Sequence, residues 1–95
     1  MEDHFLTVVS QTEFSAAFDK YAASYPRLEE WKIGIDWLLA RDPIAGQRVR
    51  SDPNYYALRT PETGTLPSIL IAYRYAPDKE PHKIFLEAIY IDEES

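Results

Sequence analysis

The 95-residue chain is predicted to fold as a two-layer α+β domain of order β-α-α-β-β-β, a helical hairpin packed on an antiparallel sheet. Three observations predict it. A short segment near the start is apolar on alternate positions. Two consecutive segments then carry apolar residues at helical spacing, with a proline between them. Three late segments rich in Tyr, Ile, Leu and Ala alternate again, separated by turns containing Pro and Gly. The length fits one domain, residues 1–95.

Residues 4–10 read as the first strand, with Phe5, Thr7 and Val9 on one face and Leu6 and Val8 on the other. Apolar residues on both faces predict a strand well inside a sheet or against the meander. Ser10 and Glu13 have capping-box spacing, which predicts that a helix starts there and runs to about Tyr25. Its apolar residues Phe14, Ala17, Phe18, Tyr21, Ala22 and Tyr25 form one stripe. Pro26 then disfavours helix at Tyr25. A second helix is expected over about residues 27–41, where Leu28, Trp31, Ile35, Leu38 and Leu39 fall within about 100° of a helical wheel. Gly34 interrupts it at about 1 kcal/mol relative to Ala, and close packing on the first helix is the expected return. Residues 43–54 read as a connecting loop. Strands are expected at 54–60, 68–76 and 83–92, and the two short turns between them make an antiparallel meander. In the middle strand Ile69, Ile71, Tyr73 and Tyr75 share one face.

Composition narrows the function classes. An apolar content of 45% excludes a disordered chain. The absence of cysteine excludes thiolate catalysis, disulfide frameworks and sulfur-ligated zinc, and accords with the expected cytoplasmic location. The start, Met1-Glu2-Asp3-His4, has no signal-peptide pattern, and no apolar stretch is long enough to span a membrane. The net charge is −6. Residues 1–40 hold seven acids and three bases, 41–85 five acids and seven bases, and 86–95 four acids and no base. Nucleic-acid binding must therefore rest on the central basic segment alone.

Arg59 and Arg74 can share a sheet face with Tyr55 and Glu87. A guanidinium pair stabilises charge developing on a phosphate, and a carboxylate takes a proton from a ribose hydroxyl. Arg59, Arg74 and Glu87 are thus the candidate catalytic set, weighed against plain cross-strand ion pairing. Arg48 and Arg50 form a short basic patch able to contact RNA, DNA or an acidic protein, or simply a solvated loop. Tyr55 can stack a base. His82 sits in the last turn, where solvation is the plainer reading. His4 has no partner at metal-ligand spacing, so no metal site is expected. With three separated glycines no phosphate-cradling loop exists and no nucleotide cofactor is expected. Ile33, Trp37 and Ala40 lie off the second helix's core stripe. Either they mark a binding site for a protein partner, a homodimer included, or they are buried beneath the 43–54 loop.

The order of elements, Asp42-Pro43-Ile44-Ala45-Gly46 after the second helix, Asn54-Tyr55-Tyr56-Ala57-Leu58-Arg59, and Leu70-Ile71-Ala72-Tyr73-Arg74-Tyr75 before a turn resemble the RelE/ParE superfamily of small bacterial toxins. The resemblance implies a toxin-like component of a type II toxin–antitoxin system, neutralised by a cognate antitoxin. Its targets in that family are ribosome-bound messenger RNA or DNA gyrase. The ribonuclease branch commonly carries an arginine at the start of the third strand, where this chain has Ile69 and Leu70. It commonly ends in a basic or aromatic tail, where this chain ends Ile91-Asp92-Glu93-Glu94-Ser95. Those departures predict little or no ribosome-dependent cleavage. The alternatives are a non-catalytic binding module or subunit of the same fold, and a free-standing endoribonuclease.

Overall fold

The computed structural model describes residues 6–49 and 51–92. Seven elements follow in order: β1 (Thr7–Ser10), α1 (Thr12–Ala22), α2 (Leu28–Arg41), β2 (Gln47–Val49), β3 (Asp52–Thr60), β4 (Ile69–Arg74) and β5 (Lys83–Ile91). The strands form one five-stranded sheet of order β1-β5-β4-β3-β2. The two helices pack on it, so the α+β class and the two layers hold.

The sheet is mixed rather than antiparallel. β2 to β5 pair antiparallel with their neighbours, but β1 runs parallel to β5, from Thr7 opposite Lys83 to Ser10 opposite Leu86. A parallel pair needs a long connection, and the whole intervening chain supplies it. β1 also lies at the edge of the sheet, not inside it. The expected 43–54 loop contains β2, a three-residue strand pairing with β3, so β3 begins at Asp52. Three residues without alternation leave no periodicity to read.

The helical stripes pack largely as spaced. Phe14 and Phe18 of α1 and Leu28, Ile35 and Leu39 of α2 are buried in one core with the sheet. Three local expectations fail. Ser10 remains in β1, Gln11 takes the N-cap position, and no side chain caps α1, because strand pairing with β5 holds Ser10 extended. Leu38 is 39% exposed, since α2 buries a narrower stripe than its wheel allows. Gly34 packs against nothing: a Cβ built there meets no atom within 4 Å. Gly34→Ala is accordingly expected to stabilise the domain by about 1 kcal/mol. That is a rise in Tm of about 4–8 °C, to be read by calorimetry; no rise would mean that the helix strains at this point.

β4 buries Ile69, Ile71 and Tyr73 and turns Leu70, Ala72 and Arg74 to the opposite face. β5 breaks the same rule once. Ile84 and Leu86 are buried, and so are Ile89 and Ile91, two pairs out of phase with each other. The register explains it: Ala72 pairs with Ala88 but Tyr73 with Leu86, leaving Glu87 as the extra residue of a β-bulge. The bulge lets both halves of β5 face the helices.

Tyr73 ties the α2–β2 connection to this core. Its hydroxyl donates to the Pro43 carbonyl at 2.8 Å and accepts from the Gly46 N–H at 2.9 Å. Its ring stacks on Tyr56, centroids 5.3 Å apart. Burial pushes the phenol up to about 12; the Gly46 hydrogen bond pulls the other way, and Tyr56 and Asp42 add smaller upward pushes.

Candidate functional site

Two surfaces collect the candidate residues. The first is the sheet face opposite the helices, which no described element covers. By alternation it presents Tyr55, Ala57 and Arg59 from β3, Leu70, Ala72 and Arg74 from β4, and Phe85 and Tyr90 from β5. Most of these side chains are half-buried by one another, while Arg59 and Tyr90 are exposed.

The structure brings together three of the four residues expected on this face. Arg74 stands opposite Tyr55 in register. Its Nε lies 3.2 Å from Glu87 Oε2, and its guanidinium sits 4.5 Å from the centre of the Phe85 ring. The β5 bulge places Glu87 in reach of that arginine. Arg59 stands apart. It pairs with Leu70, four residues from Arg74 along β4, a distance of about 14 Å at the rise of a strand. There its Nη1 donates to Ser68 Oγ at 3.2 Å. Each guanidinium thus has its own partner, Ser68 for Arg59 and Glu87 for Arg74, and the two do not form a pair. Arg74 and Glu87 occupy each other, an ion pair worth about 0.2–1 kcal/mol at this partial exposure. The face is therefore an aromatic and aliphatic sheet surface with one ion pair, Arg74–Glu87, set into it.

The second surface lies between α2 and the β1 edge. Leu6, Val8, Ile33, Asp36, Trp37 and Ala40 line a groove of about 430 Å³. Ile33 is 70% exposed and Trp37 64%, so Trp37 is not buried beneath the 43–54 segment; that segment runs along the far edge as β2. The Arg41 guanidinium covers one face of Trp37 at 4.1 Å. Asp36 Oδ2 pairs with Lys32 at 2.8 Å, while its Oδ1 is buried without a hydrogen-bond partner.

The remaining candidates fall elsewhere. Arg48 folds over the edge of the core, its guanidinium 5.8 Å from the Tyr56 ring and its Nη2 3.4 Å from the Tyr56 hydroxyl. Arg50, His4 and the acidic end at 93–95 lie outside the described residues. His82 is exposed in its turn, and its backbone carbonyl accepts from the Thr7 N–H at 2.8 Å. Among the described residues no group of three or more His, Asp or Glu could hold a metal ion. Nor, among the described residues, is any helix long and apolar enough to cross a membrane.

Sequence reasoning missed the bulge that presents Glu87 and the edge position of β1 in the described sheet. The first had a signal, the phase break between Leu86 and Ile89. The second had none, because an edge is defined by strands that are not there. No family model matches the chain, and no curated protein matches it.

Proposed function

We propose that this chain is a toxin-like protein of the RelE/ParE type, which acts through protein contacts and is neutralised by an antitoxin laid over its uncovered sheet face. A non-catalytic binding module of the same fold is the alternative within the same class. The observation that carries the reading is that face itself: Tyr55, Leu70, Ala72, Phe85 and Tyr90 side by side with no described element over them. An extended apolar surface of this kind marks a partner site. The separation of Arg59 from Arg74 and Glu87 speaks against ribonuclease chemistry, and the net charge of −6 opposes approach to the dense phosphate of a ribosome. DNA gyrase is then the first target to assay.

The test uses purified ribosomes with a defined message, at low salt where attraction to phosphate is largest. Little or no cleavage is expected. In parallel, Leu70→Asp is expected to weaken the complex with the product of an adjacent small reading frame by about 30-fold or more, since it sets a charge into the contact centre. Codon-positioned cleavage that Arg74→Ala or Glu87→Gln abolishes in a folded protein would overturn the proposal. It would make those residues an active site.

A further inference from the structure

We infer that the β1 edge is a self-association surface, on which β1 of a second copy adds antiparallel to join two five-stranded sheets. Of the two sheet edges, β1 is the unguarded one. The Thr7 and Gln11 N–H groups point inward, to His82 and Leu86 carbonyls of the β5 side. The alternate residues Val8 and Ser10 therefore turn their N–H and C=O groups outward, and among the described residues no strand pairs with β1 on that side. Residues 6–12 carry no charge. The opposite edge, β2, carries Arg48. Self-pairing there would set two guanidinium groups against each other, the usual protection of an edge strand. Charge thus permits a second copy at β1 and disfavours it at β2.

The flank of β1 supplies the apolar contact. An antiparallel pairing about a two-fold axis normal to the sheet leaves both helical layers on the same side. The grooves lined by Leu6, Val8, Ile33, Trp37 and Ala40 then adjoin each other, and Ile33 and Trp37 of each copy face its partner. Trp37, 64% exposed, offers about 160 Å² if taken at the upper end of aromatic side chains. A small specific interface needs about 600 Å² per partner, roughly a tenth of the 6436 Å² surface. Trp37 and the 70% exposed Ile33 supply the largest apolar part, with the half-buried Leu6, Val8 and Ala40 and the strand edge around them, so the interface is at the small end and suits a reversible dimer.

The register follows from one bond already made. The Leu6 N–H donates to the Ala40 carbonyl at 3.0 Å, so it is not free to pair. A pairing that uses only free groups matches Val8 with Ser10 of the second copy, and Ser10 with its Val8. Val9 then lies on the axis as a non-hydrogen-bonded pair, with Cα atoms about 4.5 Å apart. That separation is within disulfide reach.

The experiment uses the full chain. Sedimentation velocity over a concentration series is expected to show a monomer–dimer equilibrium. Trp37→Ala should weaken it by about 30-fold with the circular dichroism unchanged. Because the chain has no cysteine, Val9→Cys reports the axis directly: air oxidation is expected to give a disulfide dimer, and Arg48→Cys at the other edge is not. A monomer at every concentration, or a dimer that neither Trp37→Ala weakens nor Val9→Cys cross-links, would overturn the inference. Should Val9→Cys fail to fold, Ile33→Ser, which alters only an exposed side chain, replaces it: loss of the dimer supports the surface, and an unchanged dimer refutes it. None of these outcomes depends on the toxin reading, which the ribosome and antitoxin assays decide separately.

Discussion

Tyr73→Ala is expected to remove about 4–6 kcal/mol, much of the roughly 5–14 kcal/mol that a domain of this length holds. Truncating a buried aromatic side chain costs about 3–5 kcal/mol, and Tyr73 is fully buried against Tyr56. The Pro43 carbonyl and the Gly46 N–H lose their partner as well, at about 1 kcal/mol or more together. Tyr73→Phe isolates that second part and is expected to cost about 1–3 kcal/mol. Urea denaturation of the two variants separates ring from hydroxyl.

The same hydroxyl makes stability depend on alkaline pH. An unfolded tyrosine ionises near its ordinary value of 10.0, whereas Tyr73 in the fold keeps its proton to about 12. Below pH 10 both states are neutral and the contribution is fully present. Between about 10 and 12 the unfolded chain gains ionisation that the fold denies, so stability falls, by up to about 3 kcal/mol. Tyr73→Phe should flatten that part of the alkaline slope. An unchanged slope would show that other groups govern alkaline unfolding.

Gly46→Ala is expected to cost about 2–4 kcal/mol. A Cβ at this position would stand 2.7 Å from the Ala57 carbonyl oxygen and 3.0 Å from the Tyr73 hydroxyl. The first of these is backbone of the neighbouring strand and cannot step aside. Either β2 separates from β3 at the Gln47–Ala57 pair, or the 42–46 turn lifts away from Tyr73. Overpacking of this kind costs about 1–3 kcal/mol, and a displaced hydrogen bond adds about 1 kcal/mol. Faster amide exchange across Gln47–Val49 is the expected local sign. Because one of the clashes is with Tyr73, Gly46→Ala and Tyr73→Phe should combine less than additively. Strict additivity would mean that the Ala57 backbone alone is responsible.

Much of the architecture is written in local periodicity. Phe14, Phe18, Leu28, Ile35 and Leu39 recur at helical spacing and are buried; Ile69, Ile71 and Tyr73 alternate and are buried too. These patterns depend only on 3.6- and 2-residue repeats, which neighbours in sequence set by themselves. They were enough for the α+β class, both helices and the last three strands. Tertiary structure decided the rest, because each remaining feature involves segments far apart in the chain. Pairing with β5 kept Ser10 in a strand and made its capping box irrelevant. Pairing with β3 turned three unpatterned residues into β2. The register of β4 on β5 made Glu87 a bulge beside Arg74, and the register of β3 on β4 carried Arg59 away from both. Residue types alone grouped four residues; strand register, which no single strand contains, set Arg74 and Glu87 together beside Tyr55 with Arg59 apart from them, and left Trp37 exposed beside β1, the last described strand of its sheet edge.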